Sequence, residues 1–265
     1  MNLTGKNVLI TGASRGIGEA IAIQCAEVGA RVIGVSRNAE VLHAAMEAIG
    51  GVAMVCDLSD ASAVRGLIER IESRYGPIDV LVNNAGIDHT DYFANATDID
   101  VQSVIQVNQI TPIELIRQVL PGMKSRGIGH IVNVSSIAGS GGFVGMTLYC
   151  SSKAGLSNFH RVLRHELANS PVRTTLVELG PIPTDMLNGV YELSEAERSF
   201  RRFRRMGLMP EVPRGRVAKL VRNAIEGEKR YVRLPRRAVL YPWMSAAPQK
   251  IADVLLRDIA STPRG

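Results

Sequence analysis

The chain has 265 residues, 46% of them hydrophobic, and a formal net charge of +6, which suits one α/β domain with a full core. No stretch offers the ~18 unbroken apolar residues of a membrane span. Three scattered cysteines, Cys25, Cys56 and Cys150, exclude a disulfide framework, and Met1-Asn-Leu-Thr runs into an apolar strand with no leader pattern, so a cytoplasmic location is expected.

Val8-Leu9-Ile10 predicts the first strand. Thr11-Gly12-Ala-Ser-Arg15-Gly16-Ile-Gly18 follows, ahead of a helical pattern over 19–28. Strand, glycine turn and helix in that order form the context of a phosphate-binding loop. Gly12 permits the turn, Gly16 lets backbone approach a pyrophosphate, and Gly18 lets the helix pack on the strand. Ser14 and Ile17 belong to the same loop, and the helix N-terminus offers free N–H groups and a positive dipole end. A glycine-rich turn without a nucleotide is the plainer alternative.

Residues 31–35 read as the second strand and 39–49 as a helix. An acidic residue after that strand would bind the ribose 2′-hydroxyl of NAD. Here Val35-Ser36-Arg37-Asn38 holds none. Arg37 suits the 2′-phosphate of NADP, with Ser36 beside it, and Arg15 can clamp that phosphate from the other side; otherwise each is a solvated arginine. NADP(H) is therefore favoured, with NAD(H) allowed. Residues 52–56 form the third strand, followed by Asp57 and Leu58. A helix is predicted over 59–75 with Ser59 or Asp60 as its cap, and Gly76-Pro77 breaks the chain before a fourth strand at 78–82.

A long helix is expected over 98–124, bent or offset near Pro112. The fifth strand covers 131–134, a helix 148–168, the sixth strand 174–179 and the last strand 230–234. The alternation of strand and helix argues for parallel βαβ units and against a second folded domain.

Tyr149 and Lys153 stand four residues apart on the predicted helix 148–168, hence on one face. The ammonium is expected near the phenol, favouring its ionised form and lowering a pKa that starts near ~10. Such a phenol can give a proton to, or take one from, a carbonyl or alcohol oxygen. Ser136, thirteen residues before Tyr149, can hydrogen-bond that oxygen.

With Asp57, Asn83-Asn84-Ala85-Gly86 and Asn108, these motifs stand in the order of a classical short-chain dehydrogenase/reductase, which the chain resembles over about residues 3–185. The resemblance implies a Rossmann-type doubly wound parallel sheet in a three-layer α/β/α domain. It implies a catalytic tetrad of Asn108, Ser136, Tyr149 and Lys153. Lys153 would also hold the nicotinamide ribose, and Asn108 a kinked helix and a water leading from Lys153. Asp57 would meet the adenine amino group, or simply cap a turn. Asn84, Ala85 and Gly86 would line the cofactor, with Asn83 structural. Ser135 competes with Ser136, whose spacing is the family's. The family's usual Pro-Gly after the sixth strand is here Gly180-Pro181-Ile182-Pro183-Thr184; Gly180, Ile182 and Thr184 would still reach the nicotinamide end. A homodimer or homotetramer, paired through the helices with Asn108 and Tyr149, is also implied.

Substrate choice falls to residues 87–95 and an insert at 185–212. The insert carries Met186, Leu187, Val190, Tyr191, Phe200, Phe203, Met206, Leu208 and Met209, an apolar lid suited to a bulky hydrophobic carbonyl or alcohol, or else a packed helical hairpin. Residues 1–195 hold 14 Lys/Arg against 19 Asp/Glu, whereas 196–265 hold 17 against 6. The basic excess belongs to the last quarter. Arg198, Arg201, Arg202, Arg204 and Arg205 read as a solvated helix face or an anchor for an anionic handle. No nucleic-acid module accompanies them, and no nucleic-acid partner is expected. A C-terminal helix and last strand take up 213–237. The tail 238–265 is apolar and basic and reads as subunit or core packing, closure of the site, or peripheral membrane contact. His43, His89, His130, His160 and His165 lack metal-ligand spacing, and no metal is expected. Cys150 reads as a packing residue. The chain as a whole is expected to be an oxidoreductase interconverting a ketone or aldehyde with its alcohol. The rivals are a lipid or acyl-thioester reductase at a membrane surface, an epimerase or dehydratase on the same scaffold, and a non-catalytic nucleotide-binding protein.

Overall fold

The strands are β1 (Asn7–Thr11), β2 (Arg31–Ser36), β3 (Val52–Val55), β4 (Val80–Asn83), β5 (Gly129–Ser136), β6 (Val172–Leu179) and β7 (Tyr231–Leu234) in a computed structural model of the chain. The structure describes residues 1–191, 193–205, 207 and 210–235. All seven strands join one parallel sheet in the order β3-β2-β1-β4-β5-β6-β7.

Alternation along the strands splits the core in two. Val8, Ile10, Val80, Val82, Val132, Val134 and Val177 face α1 (Gly16–Ala26), α2 (Ala39–Glu47) and α10 (Arg214–Glu226). Leu9, Ile33, Val35, Leu81 and Ile131 face α4 (Leu67–Tyr75), α6 (Thr111–Arg126) and the Leu163 end of α7 (Thr147–Glu166). The strands are apolar on both faces because helices cover both. This is the three-layer, doubly wound fold in a single domain that the resemblance implies.

Two predicted helices are interrupted. The first begins at α3 (Ala61–Val64), where Asp60 accepts from the Ser62 N–H as N-cap; the chain then leaves the helix at Arg65 and turns through Gly66, at φ 65°, into α4. The second is α5 (Asp98–Ile105), started by a capping box between Thr97 and Asp100, then a π-helical segment Gln106–Ile110, then α6. The offset expected near Pro112 thus falls just before it and contains Asn108. The insert forms α8 (Asp185–Val190) and α9 (Ser194–Arg205). The Phe203 side chain, Met206, Leu208, Met209 and the tail 238–265 lie outside the described residues. No helix of the described residues is long and apolar enough to cross a membrane.

His130 and His160 are fully buried, paired with Thr175 Oγ1 (2.7 Å) and Asn133 Nδ2 (3.1 Å), and burial pushes both from 6.5 down to about 4. Between those values the unfolded chain binds protons that the folded chain does not. Stability is therefore lost as pH falls through 6.5 towards 4, roughly 2 kcal/mol for each histidine by about pH 5. Urea midpoints taken near pH 7 and near pH 5 should separate accordingly, and His160→Gln should narrow the gap.

Candidate active site

Strand order reverses between β1 and β4, so the connections leaving their C-terminal ends run to opposite sides and leave a crevice. A cleft of about 750 Å³ opens there, and it brings together the sequence-predicted site residues except Gly18 and Asn108, which lie behind its wall.

The glycine loop forms one end. A Cβ on Gly18 would stand 2.1 Å from the Gly12 carbonyl oxygen, so α1 packs on the loop only without a side chain there. Gly16 adopts φ +67°, and beyond it lies open cleft, the nearest atom to a Cβ being Thr184 Cγ2 at 3.8 Å. Arg15, the N-cap residue of α1, makes no side-chain capping bond, so the first-turn N–H groups stay available to an anion. Gly18→Ala is expected to weaken dinucleotide binding at least about tenfold, because backbone cannot yield as a side chain does. A fluorescence titration with NADPH measures it.

Beside the loop, the Ser14 and Ser36 hydroxyls pair at 3.0 Å and Arg37 is exposed on the cleft rim. Asp57 accepts from the Ser59 hydroxyl (2.7 Å) and N–H (2.9 Å), which hold its carboxyl below the usual range, with a smaller contribution from Arg37. The turn-capping role is thus present. The Leu58 carbonyl accepts from Thr111, and its side chain is buried in the core. Arg15 does not point free into the cleft: it pairs with Asp185 at the start of α8, 3.2 Å away, with both side chains exposed.

Thr11, absent from the candidate residues, stitches the ends of β1 and β4 together. Its hydroxyl accepts from the N–H groups of Asn84 and Ala85, each at 3.0 Å, while Asn84 Nδ2 donates to the Thr11 carbonyl. Asn83 turns away to Asn133, a structural contact. Asn108 is fully buried in the π segment. Its Oδ1 accepts from Ile87 N–H (2.9 Å), and its Nδ2 donates to the Ile87 carbonyl (2.8 Å) and the Ser152 hydroxyl (3.0 Å). It therefore fastens the segment after β4 to α7. Gly86 fits the gap beside it, where a Cβ would lie 3.2 Å from both Asn108 Oδ1 and Lys153 Nζ.

Tyr149, half-buried, and Lys153, nearly fully buried, meet the cleft one helical turn apart on α7, facing Ser136 at the end of β5. Lys153 Nζ donates to the Val134 carbonyl at 3.2 Å and lies 5.8 Å from the Tyr149 ring centre. Burial pushes the Tyr149 phenol up to about 12, against an opposing hydrogen bond from Ser136, and pushes Lys153 down to about 8. The expected lowering of the Tyr149 pKa is thus reversed here. Desolvation outweighs an ammonium that is held by backbone and is itself inclined to lose its proton. Ser136 donates to the Leu179 carbonyl (3.2 Å) and accepts from Ala138 N–H (3.1 Å). Ser135 is engaged by the Lys153 carbonyl and Ser157 instead, since neighbours on a strand face opposite ways.

After β6, Gly180 N–H donates to the Leu234 carbonyl (2.7 Å), Ile182 is buried, and Thr184 precedes α8. Met186, Leu187, Val190 and Phe200 of the insert line the cleft. Phe200 stacks on Phe143 with ring centres 4.8 Å apart, and Met146, Ile137 and Ala138 complete this apolar wall. Cys150 packs against the same cluster. Phe143 and Met146 carry no signal of their own in the sequence. Asp88, also on the wall, lies in the 87–95 segment to which substrate choice falls, with no local signal of its own. Of the arginine run, Arg198, Arg201 and Arg204 pair with Glu195, Glu197 and Glu211. Among the described residues, no cluster of three or more His, Cys, Asp or Glu is placed to hold a metal.

A sequence profile described as short chain dehydrogenase matches residues 6–194. The ketoacyl reductase HetN of Nostoc sp. is 41% identical over 66% of this chain and 63% of its own length. The 3-oxoacyl-[acyl-carrier-protein] reductase FabG of Escherichia coli is 33% identical over 85% of this chain and 90% of its own. A metagenomic short-chain oxidoreductase solved in complex with NADP superposes with a TM-score of 0.71 at 29% identity, covering 88% of this chain and 97% of that one. With the profile spanning well over half of the sequence, the chain belongs to the short-chain dehydrogenase family and is an oxidoreductase.

Proposed function

We propose that the chain reduces the ketone or aldehyde group of a hydrophobic substrate with NADPH, with Asn108, Ser136, Tyr149 and Lys153 as its working residues. The observation that carries this reading is the meeting of Ser136, Tyr149 and Lys153 on one wall of a cleft that begins at the glycine loop. The free N–H groups of α1 and the open face of Gly16 fit a pyrophosphate, and Lys153, on the cleft wall beside Gly86, fits the hydroxyls of a ribose. When bound, the dinucleotide supplies the hydride. Tyr149 gives its phenolic proton to the carbonyl oxygen, which the Ser136 hydroxyl also holds. The high phenol pKa keeps that proton in place at neutral pH, and Lys153, near 8, restores it. Asn108 fixes the geometry between them.

Arg37, directly after β2 where Ser36-Arg37-Asn38 holds no carboxylate, supports NADP(H) over NAD(H), as does the NADP held by the metagenomic relative. The apolar wall of Phe143, Met146, Val190 and Phe200 supports a hydrophobic substrate, with 185–212 as its lid. The relatives named as a ketoacyl reductase and a 3-oxoacyl-[acyl-carrier-protein] reductase support a keto group as the one reduced. Exposed Ile99, Ile110 and Val162, on α5, the π segment and α7, support pairing of copies through those elements.

Initial rates with NADPH and NADH across carbonyl compounds from small diketones to 3-oxoacyl thioesters test the reading. Turnover is expected to be faster with NADPH, and Arg37→Ala should erase about tenfold or more of that preference, the worth of one charge-assisted contact. Equal rates with both cofactors in the unaltered protein would contradict the NADP assignment.

A further inference from the structure

We propose that Asp88 is the specificity-determining residue of the substrate half of the cleft, selecting carbonyl compounds that carry a hydrogen-bond donor, a hydroxyl or an amide N–H, next to the reacting carbon. This rests on the reductase reading above.

Position comes first. Asp88 follows Ile87, whose N–H and carbonyl are both fastened to Asn108, at 2.9 and 2.8 Å. Its backbone is therefore fixed relative to the cluster of Ser136, Tyr149 and Lys153. Its side chain lines the cleft, close enough to Tyr149 for the carboxylate charge to disfavour the phenolate.

The chemistry follows from what surrounds it. Beyond Ser136 and Lys153, the wall around Tyr149 is lined by the apolar Ile137, Phe143, Met146, Val190 and Phe200. The carboxyl is half-buried, and that burial raises its pKa. An ionised carboxylate accepts about four hydrogen bonds. Asp88 receives one from the Thr90 hydroxyl, at a long 3.3 Å, and one from its own N–H. The adjacent His89 directs Nε2 to Asp100 instead, 3.8 Å away. A half-buried carboxylate with spare acceptor capacity, beside the place where a carbonyl must sit, gains most from a ligand that brings a donor. It penalises a ligand that brings a carboxylate to the same place.

The test uses the full chain with NADPH and a matched pair of ketones, a 1-hydroxy-2-alkanone and the 2-alkanone of the same chain length. The ratio of their kcat/KM values is measured in the wild type, Asp88→Asn and Asp88→Glu, with NADPH titration as the check that each variant is folded. Comparing ratios between proteins cancels the intrinsic reactivity of the two ketones. The expected result is a ratio that falls about tenfold or more in Asp88→Asn and recovers in part in Asp88→Glu, the loss appearing mainly in KM for the hydroxyketone. If both ketones are reduced and the ratio is the same in all three proteins, Asp88 does not set specificity, while the reductase reading stands. If folded wild-type protein binds NADPH and reduces neither ketone, nor any compound of the wider panel, the reductase reading falls and the role of Asp88 with it.

Discussion

Tyr149→Phe is expected to lower kcat for carbonyl reduction by about 100- to 10,000-fold, the usual contribution of a positioned general acid. The substitution keeps the ring that packs against the Phe143 cluster and removes the hydroxyl alone. Few groups could replace it. Cys150, the neighbouring thiol, packs into the same apolar cluster with its pKa raised to about 11, and the Ser136 hydroxyl, a weaker acid than a phenol, can hold the carbonyl oxygen without protonating it. The loss should fall on kcat more than on KM, because the proton moves in the transition state. Steady-state kinetics on the compound that the wild type reduces fastest measure this. A variant within about threefold of wild type would assign the proton to another source.

The second large effect is expected at Asn108. Truncation to alanine leaves the N–H and carbonyl of half-buried Ile87 and the hydroxyl of buried Ser152 without their Asn108 partner, although Ser152 keeps its bond to the Tyr149 carbonyl. Each stranded buried group costs about 1–3 kcal/mol, so a total loss of about 3 kcal/mol or more is expected. Urea unfolding measures it. Asn108→Asp should not rescue: it keeps an acceptor for Ile87 N–H but sets a carboxylate oxygen against the Ile87 carbonyl. Activity should fall further than stability alone explains, because the same bonds hold Gly86 and Asp88 in register with Lys153. A fully stable alanine variant would contradict the view of Asn108 as the fastener between the segment after β4 and α7.

Much of this architecture was legible because it rests on local pattern. Strand and helix alternate in the sequence, and the two-faced apolar strands follow from helices on both sides. The spacing of Tyr149 and Lys153 places them on one helical face by geometry alone. The loop glycines were readable because each answers a backbone requirement, most clearly at Gly18. What was not legible depends on tertiary surroundings. Nothing local marks Gln106–Ile110 as a π segment; Asn108 bonds to two other elements there, and its register accompanies those bonds. Gly66 looks like any tolerated helix glycine until its left-handed φ turns the chain from α3 into α4. The direction of the Tyr149 shift was misread because spacing reports the nearby ammonium and not the burial that outweighs it. The pairing of Arg15, on the cleft rim, with Asp185, 170 residues on, is not encoded in any local pattern. Phe143 and Phe200 meet across 57 residues, a pairing that no periodicity encodes.

The most direct test of the central claim is the fate of the hydride. NADPH carrying deuterium at the transferable C4 position is incubated with the enzyme and its best carbonyl substrate, and the product alcohol is examined by NMR and mass spectrometry. One deuterium on the former carbonyl carbon for each NADPH consumed is the predicted result. Product formed without deuterium, or without net consumption of NADPH, would contradict the reductase account and favour an isomerase or dehydratase that borrows the same fold.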